Sequence, residues 1–132
     1  MFCVSAYAFG DIIKEKICFK HTCIEAEIAD SEEKRVKGLM FREDLTESQG
    51  MLFVLEPGQK PKFWMKNVKF SLDIIWINED KRVVDIKTNI PPCRDYCESI
   101  GSKQEARYIL EVRGGFVNKY QIKIGDEVGF KH

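Results

Sequence analysis

Apolar and polar residues change rhythm twice along this 132-residue chain. Ile17-Cys18-Phe19 and Cys23-Ile24-Glu25-Ala26-Glu27-Ile28 alternate around a short polar Lys20-His21-Thr22, which predicts a β-hairpin. With Lys20-His21 as the two-residue loop, Phe19 pairs with Thr22, Cys18 faces Cys23, and His21 is a solvated turn residue. The next stretch, "ADSEEKRVKG", reads as about two turns of helix. Asp30 and Glu33 form a capping-box pair, Lys34, Arg35 and Lys37 suit the carboxyl end of the helix dipole, and Gly38 supplies a left-handed stop. A helix this short is unstable alone and has to pack on something larger.

Beyond Gly38 the pattern is strand-like. Met51–Leu55, Phe63–Phe70, Leu72–Ile77, Arg82–Ile90, Arg107–Val112 and Gln121–Phe130 are the expected strands. Glu56-Pro57-Gly58, Asn78-Glu79-Asp80 and Gly114-Gly115 mark turns between them, and Gly125-Asp126 marks a turn or bulge inside the last. Leu72–Ile77 is apolar on both faces apart from Asp73 and therefore runs through the middle. Many short strands with such punctuation predict a mainly β protein, an antiparallel sandwich or barrel with one short helix.

Composition narrows the class. With 44% hydrophobic and 32% charged residues the chain suits a globular fold, and its length suits one domain. Basic and acidic residues balance at 21 each, and no basic run stands out, so the electrostatic footprint of nucleic-acid binding is missing. No apolar run of about eighteen residues is present to cross a membrane as a helix. We divide the chain into an apolar lead-in over 1–16 and a single β-sandwich domain over 17–132.

The lead-in carries Ala6-Tyr7-Ala8, an A-x-A pattern of the signal-peptidase type, without the basic start and longer apolar run of a full signal. We read it as the remnant of an export signal, with a mature chain starting near Phe9. Cleavage there removes Cys3 and leaves Cys18, Cys23, Cys93 and Cys97, an even set. The hairpin brings the alpha carbons of Cys18 and Cys23 to about 4.5 Å, within disulfide range. Pro91-Pro92 stiffens the approach to a tight Cys93–Cys97 loop. Two local disulfides and an exported, periplasmic or extracellular location are the expectation; a four-cysteine zinc site and buried free thiols are the alternatives.

At "GLMFREDL", "GMLFVL", "FWMKNVKFSLDIIWI" and "PPCRDYC" the sequence resembles the bacterial and archaeal family called domain of unknown function 192, over roughly Ile24 to Val128. The resemblance implies a compact β-sandwich of jelly-roll type with a short helix, often made with an export signal. It implies no activity.

The polar residues in or near these motifs are Arg42, Lys66, Asn67 and Asp73, with Tyr108 and Glu111 from "ARYILEV". Asp73, flanked by Leu72 and Ile74, needs a partner if buried, and Lys66 or Arg42 can supply it. Facing a ligand instead, Arg42 and Lys66 would meet an anionic or polyhydroxyl group, Asn67 would orient it and Trp64 would give a stacking wall. Period-two alternation over Phe63–Phe70 leaves neither face purely apolar, so a strand end or bulge at Lys66-Asn67 is expected, with Lys66 reaching Asp73 or Glu111.

The favoured reading is an exported, non-catalytic binding or accessory module for an unidentified small ligand or protein partner, with no cofactor. A purely structural or partner-docking domain is the first alternative. A Cu(I) site of Met40, Met51 and Met65 is another, although methionine in apolar strands is usually core filler. A hydrolase pairing Asp73 with Glu111 is the last; His21 and His132 sit in no catalytic motif.

Overall fold

The computed structural model describes residues 12–132, so Cys3 and Ala6-Tyr7-Ala8 lie outside the described residues. Among the described residues six strands form one mixed sheet: β1 (Lys14–Cys18), β2 (Cys23–Ala29), β3 (Gln49–Val54), β4 (Leu72–Ile77), β5 (Val83–Ile90) and β6 (Tyr108–Arg113). Their spatial order is β1-β2-β3-β6-β4-β5. Every neighbouring pair is antiparallel except β2 and β3. That parallel pair needs a crossover, which carries helix α1 (Glu32–Lys37). A second helix, α2 (Phe116–Tyr120), follows β6.

The hairpin forms as its alternation predicts. Cys18 is paired with Cys23, the Phe19 N–H donates to Thr22 O at 2.8 Å, and the two alpha carbons of the Cys18–Cys23 disulfide are 4.0 Å apart. Cys93 and Cys97 close the second disulfide. In α1 the cap is Ser31 and not Asp30: its Oγ accepts the Lys34 N–H at 3.2 Å, while Asp30 makes an ion pair with Lys34. Gly38 ends the helix at φ +48°, as expected.

Mainly β is correct, but the described residues build one open sheet where a two-sheet jelly roll was expected. Each face of the sheet has its own apolar layer. Ile75, Ile77, Leu52 and Leu110 meet α2 and the C-terminal tail through Phe116, Val117, Ile122 and Val128. On the other face Phe53, Ile74, Trp76 and Ile109 meet Leu39, Leu45, Leu55, Met65 and Val68. Burial on both sides explains why all six residues of β4 are buried.

Two expected strands are irregular segments. Phe63 makes only an isolated bridge to Ile100, and Met65 and Val68, the buried residues that follow, are three apart, which a strand cannot place on one face. The Val68 N–H closes a turn onto Met65 O at 3.1 Å, with Asn67 at φ +61°. Asparagine tolerates that left-handed position far better than most residues, which accounts for Lys66-Asn67 inside an apolar run. Over Gln121–Phe130 the chain makes isolated bridges at Glu127 and Gly129 around a turn with Gly125 at φ +97°.

Candidate functional site

Asp73 and Glu111 are the buried charged residues among those described. In the β4–β6 register Asp73 lies opposite Val112 and Ile74 opposite Glu111. Because side chains alternate, the two carboxyl groups project from opposite faces of the sheet. The pairing on which a hydrolase would depend is therefore ruled out by the fold.

Asp73 points toward α2 and accepts three backbone N–H groups: Asn89 at 2.8 Å, Gly115 at 3.2 Å and Val117 at 2.8 Å. Asn89 reaches it because β5 carries an extra residue opposite Leu72 and Ile74, a bulge that turns the amide inward. Gly115 and Val117 offer the free amides of the start of α2, so Asp73 caps that helix from a distant strand. It has no need of Lys66 or Arg42, contrary to the expected ion pair.

Arg42 binds Glu27 instead, through Nη2 to Oε1 at 2.7 Å and Nη1 to Oε2. That hydrogen bond, reinforced by the guanidinium charge, holds the Glu27 carboxyl below its ordinary range against the opposing effect of part-burial. Lys66 is exposed with its Nζ 5.2 Å above the Trp64 ring, a cation–π geometry. The Asn67 backbone carbonyl accepts the Phe41 N–H at 2.8 Å. Tyr108 lies on the α2 face, where its hydroxyl donates to His132 O at 3.2 Å and its ring meets Phe130 edge-on.

Glu111 faces the other way, into a cavity of about 310 Å³. α1 and the residues after it contribute Arg35, Val36 and Leu39, β3 contributes Phe53, and the irregular segment contributes Trp64 and Val68. Leu39, Phe53, Trp64 and Val68 come from the segments "GLMFREDL", "GMLFVL" and "FWMKNVKF", while Arg35 and Val36 come from α1. The lining is mainly apolar, with Glu32, Lys37 and Lys62 as further charged groups. Among the described residues the Glu111 side chain makes no hydrogen bond or ion pair. Burial without a compensating charge pushes its carboxyl up to about 8, so at neutral pH it is a protonated, uncharged acid.

Of the seven proposed ligand residues, Trp64 and Glu111 thus line one cavity, while Arg42, Lys66 and Asn67 stand outside its lining and Asp73 and Tyr108 are across the sheet. The cavity residues Leu39, Phe53 and Val68 carry no polar signature and read in sequence only as core. Met51 and Met65 are buried in the apolar layer on this side, and Met40 lines the cavity.

The described residues define a mainly β protein with one mixed open sheet and two short helices, and comparison with known proteins gives its family. Residues 15–130 match the DUF192 family model, described as "Uncharacterized ACR", and the chain belongs to that family. It is similar to the UPF0127 protein PF1050 of Pyrococcus furiosus, with 31% identity over 111 residues covering 83% of this chain and 89% of that one. A protein of unknown function from Novosphingobium aromaticivorans DSM 12444 has a similar crystal structure: TM-score 0.76, 31% identity, 89% of this chain and 84% of that one. So does a Sinorhizobium meliloti 1021 protein described as a "putative transcription regulator", with TM-score 0.82, 27% identity and 91% and 95% coverage.

Proposed function

We propose that the chain is a small, non-catalytic binding module whose ligand enters the cavity above Glu111. The observation that carries the reading is a buried carboxyl, without a partner among the described residues, in the wall of a mainly apolar cavity. A group of that kind weakens a core and has a use when something else completes its hydrogen bonds. The ligand is mainly apolar, which replaces the polyhydroxyl or anionic group expected from Lys66 and Arg42. Trp64 and Val36, both well exposed, flank the cavity and suit entry of an apolar body.

Export fits the same reading. Both disulfides persist most readily in an oxidising compartment, and Ala6-Tyr7-Ala8 is the sequence pattern that supports a cleaved leader. The balanced charge and the lack of a basic run argue against extending a nucleic-acid role to this chain.

Fragment screening by amide chemical-shift perturbation tests the binding reading. Fragments should move the resonances of Leu39, Phe53 and Val68 in the wild type. They should lose that effect in Val36→Trp, which covers the mouth from an exposed helix position. A broad screen in which no fragment touches these residues would refute the reading.

A further inference from the structure

Resting on the reading that this cavity binds a ligand, we infer that it selects an uncharged amide carried on an apolar body, paired with Glu111 through one donated and one accepted hydrogen bond.

A protonated carboxyl has one O–H donor and a carbonyl acceptor side by side. An amide presents the complementary acceptor and donor at the same spacing, so one partner satisfies both atoms. Glu111 is 5% exposed, sits in register with the apolar Met51 and Ile74 on its flanking strands, and has no hydrogen-bond partner among the described residues, while its carboxyl oxygens still open onto the cavity. An amide meets both carboxyl atoms at once without bringing a charge into the apolar layer.

Charged ligands fare worse. A carboxylate placed against Glu111 would lose its hydration among Leu39, Phe53 and Val68. An amine could take the Glu111 proton and form an ion pair there. It would first have to pass the charged groups on the walls, which are Arg35, Lys37 and Glu32 from α1 and its end and Lys62 from the segment after β3. Three cations against one anion give the cavity a field that disfavours an incoming cation; the same field draws an anion to the mouth, where the cost of desolvation still keeps it out of the apolar layer beside Glu111. Arg35 is also fixed in place, since its Nη1 donates to Val54 O at 2.9 Å. Lys66 is turned away over Trp64. The uncharged amide is what remains.

Three probes of one shape test this: benzamide, benzoate and benzylamine, titrated by chemical shift at pH 6.5 and pH 9.0 against the wild type and Glu111→Gln. Benzamide should bind most tightly to the wild type at pH 6.5. A group titrating near 8 is about one-tenth protonated at pH 9.0, so wild-type affinity for benzamide should fall about tenfold there. Glu111→Gln keeps one donor and one acceptor at every pH, so its benzamide affinity should be the same at both. Benzylamine or benzoate binding tightest, or wild-type affinity for benzamide indifferent to pH, would overturn the inference while leaving the cavity as a site. If none of the three moves the cavity resonances while other fragments do, the amide inference falls alone. If nothing binds there, the binding reading falls with it.

Discussion

The carboxyl groups of Asp73 and Glu111 leave adjacent strands on opposite sides of one sheet, and their surroundings differ as much as their directions. Asp73 is met by three backbone N–H groups. Glu111, among the described residues, is met by none. One carboxyl group therefore caps a helix, and the other stands without a partner among the described residues.

For Asp73 the expected outcome is a structural loss. Asp73→Ala leaves three backbone amides without their acceptor, that of Val117 buried and those of Asn89 and Gly115 partly so, and should cost about 2 to 3 kcal/mol, read from urea unfolding curves. Asp73→Asn keeps one acceptor oxygen and should cost less than half as much. A cost below about 1 kcal/mol for the alanine variant would show that the cap does not matter.

Glu111 should make stability fall with rising pH. Its folded-state carboxyl titrates at about 8 against an ordinary 4.5, so the folded chain binds the proton more tightly than the unfolded one. The stabilisation is complete below pH 4.5 and is lost as pH rises to 8, by on the order of 5 kcal/mol in all. Glu111→Gln removes this dependence. Its thermal stability relative to the wild type should therefore improve between pH 5 and pH 9, with differential scanning calorimetry as the measurement.

At Glu27 the sign is opposite. Its carboxyl is lowered by the Arg42 hydrogen bond, so the contribution is present above the ordinary 4.5 and is lost as pH falls through the depressed value. The pair is partly solvated, with side chains 32% and 19% exposed, and a double-mutant cycle at pH 7 should give about 1 kcal/mol of coupling. The coupling should shrink toward zero in acid.

Asn67 is expected to tolerate glycine and resist alanine. At φ +61° an alanine should cost about 1 kcal/mol, while glycine should be near neutral, measured by chemical denaturation. Equal costs for the two would contradict a conformational role.

What the sequence made legible follows the range of the interactions. The hairpin and α1 rest on local alternation or capping, and strands β3 to β6 on short apolar runs bounded by turn residues, so all could be read directly. Phe63–Phe70 misled because Met65 and Val68 are buried by a turn, and a turn residue such as Asn67 looks like a misplaced polar residue in a strand. The second sheet expected of a sandwich is replaced by loops whose leucines and methionine are apolar without being regular. Trp64 and Glu111 stood out as a large aromatic residue and an acid amid apolar neighbours. Arg42–Glu27 did not, because Glu27 alternates like any solvent-facing strand residue, and its partner arrives by way of the crossover. Nor did the cap on Asp73: backbone amides leave no mark in a sequence.

The central claim is that Glu111 is an uncharged acid at neutral pH, available to a ligand. Carboxyl ¹³C chemical shifts of the selectively labelled protein, followed from pH 4 to pH 10 and assigned with Glu111→Gln, measure this directly. The account predicts that the Glu111 signal moves with a midpoint at about 8, and that a bound amide shifts it further upward. A midpoint near the ordinary 4.5 would mean that the carboxyl is ionised and solvated, and would contradict the account.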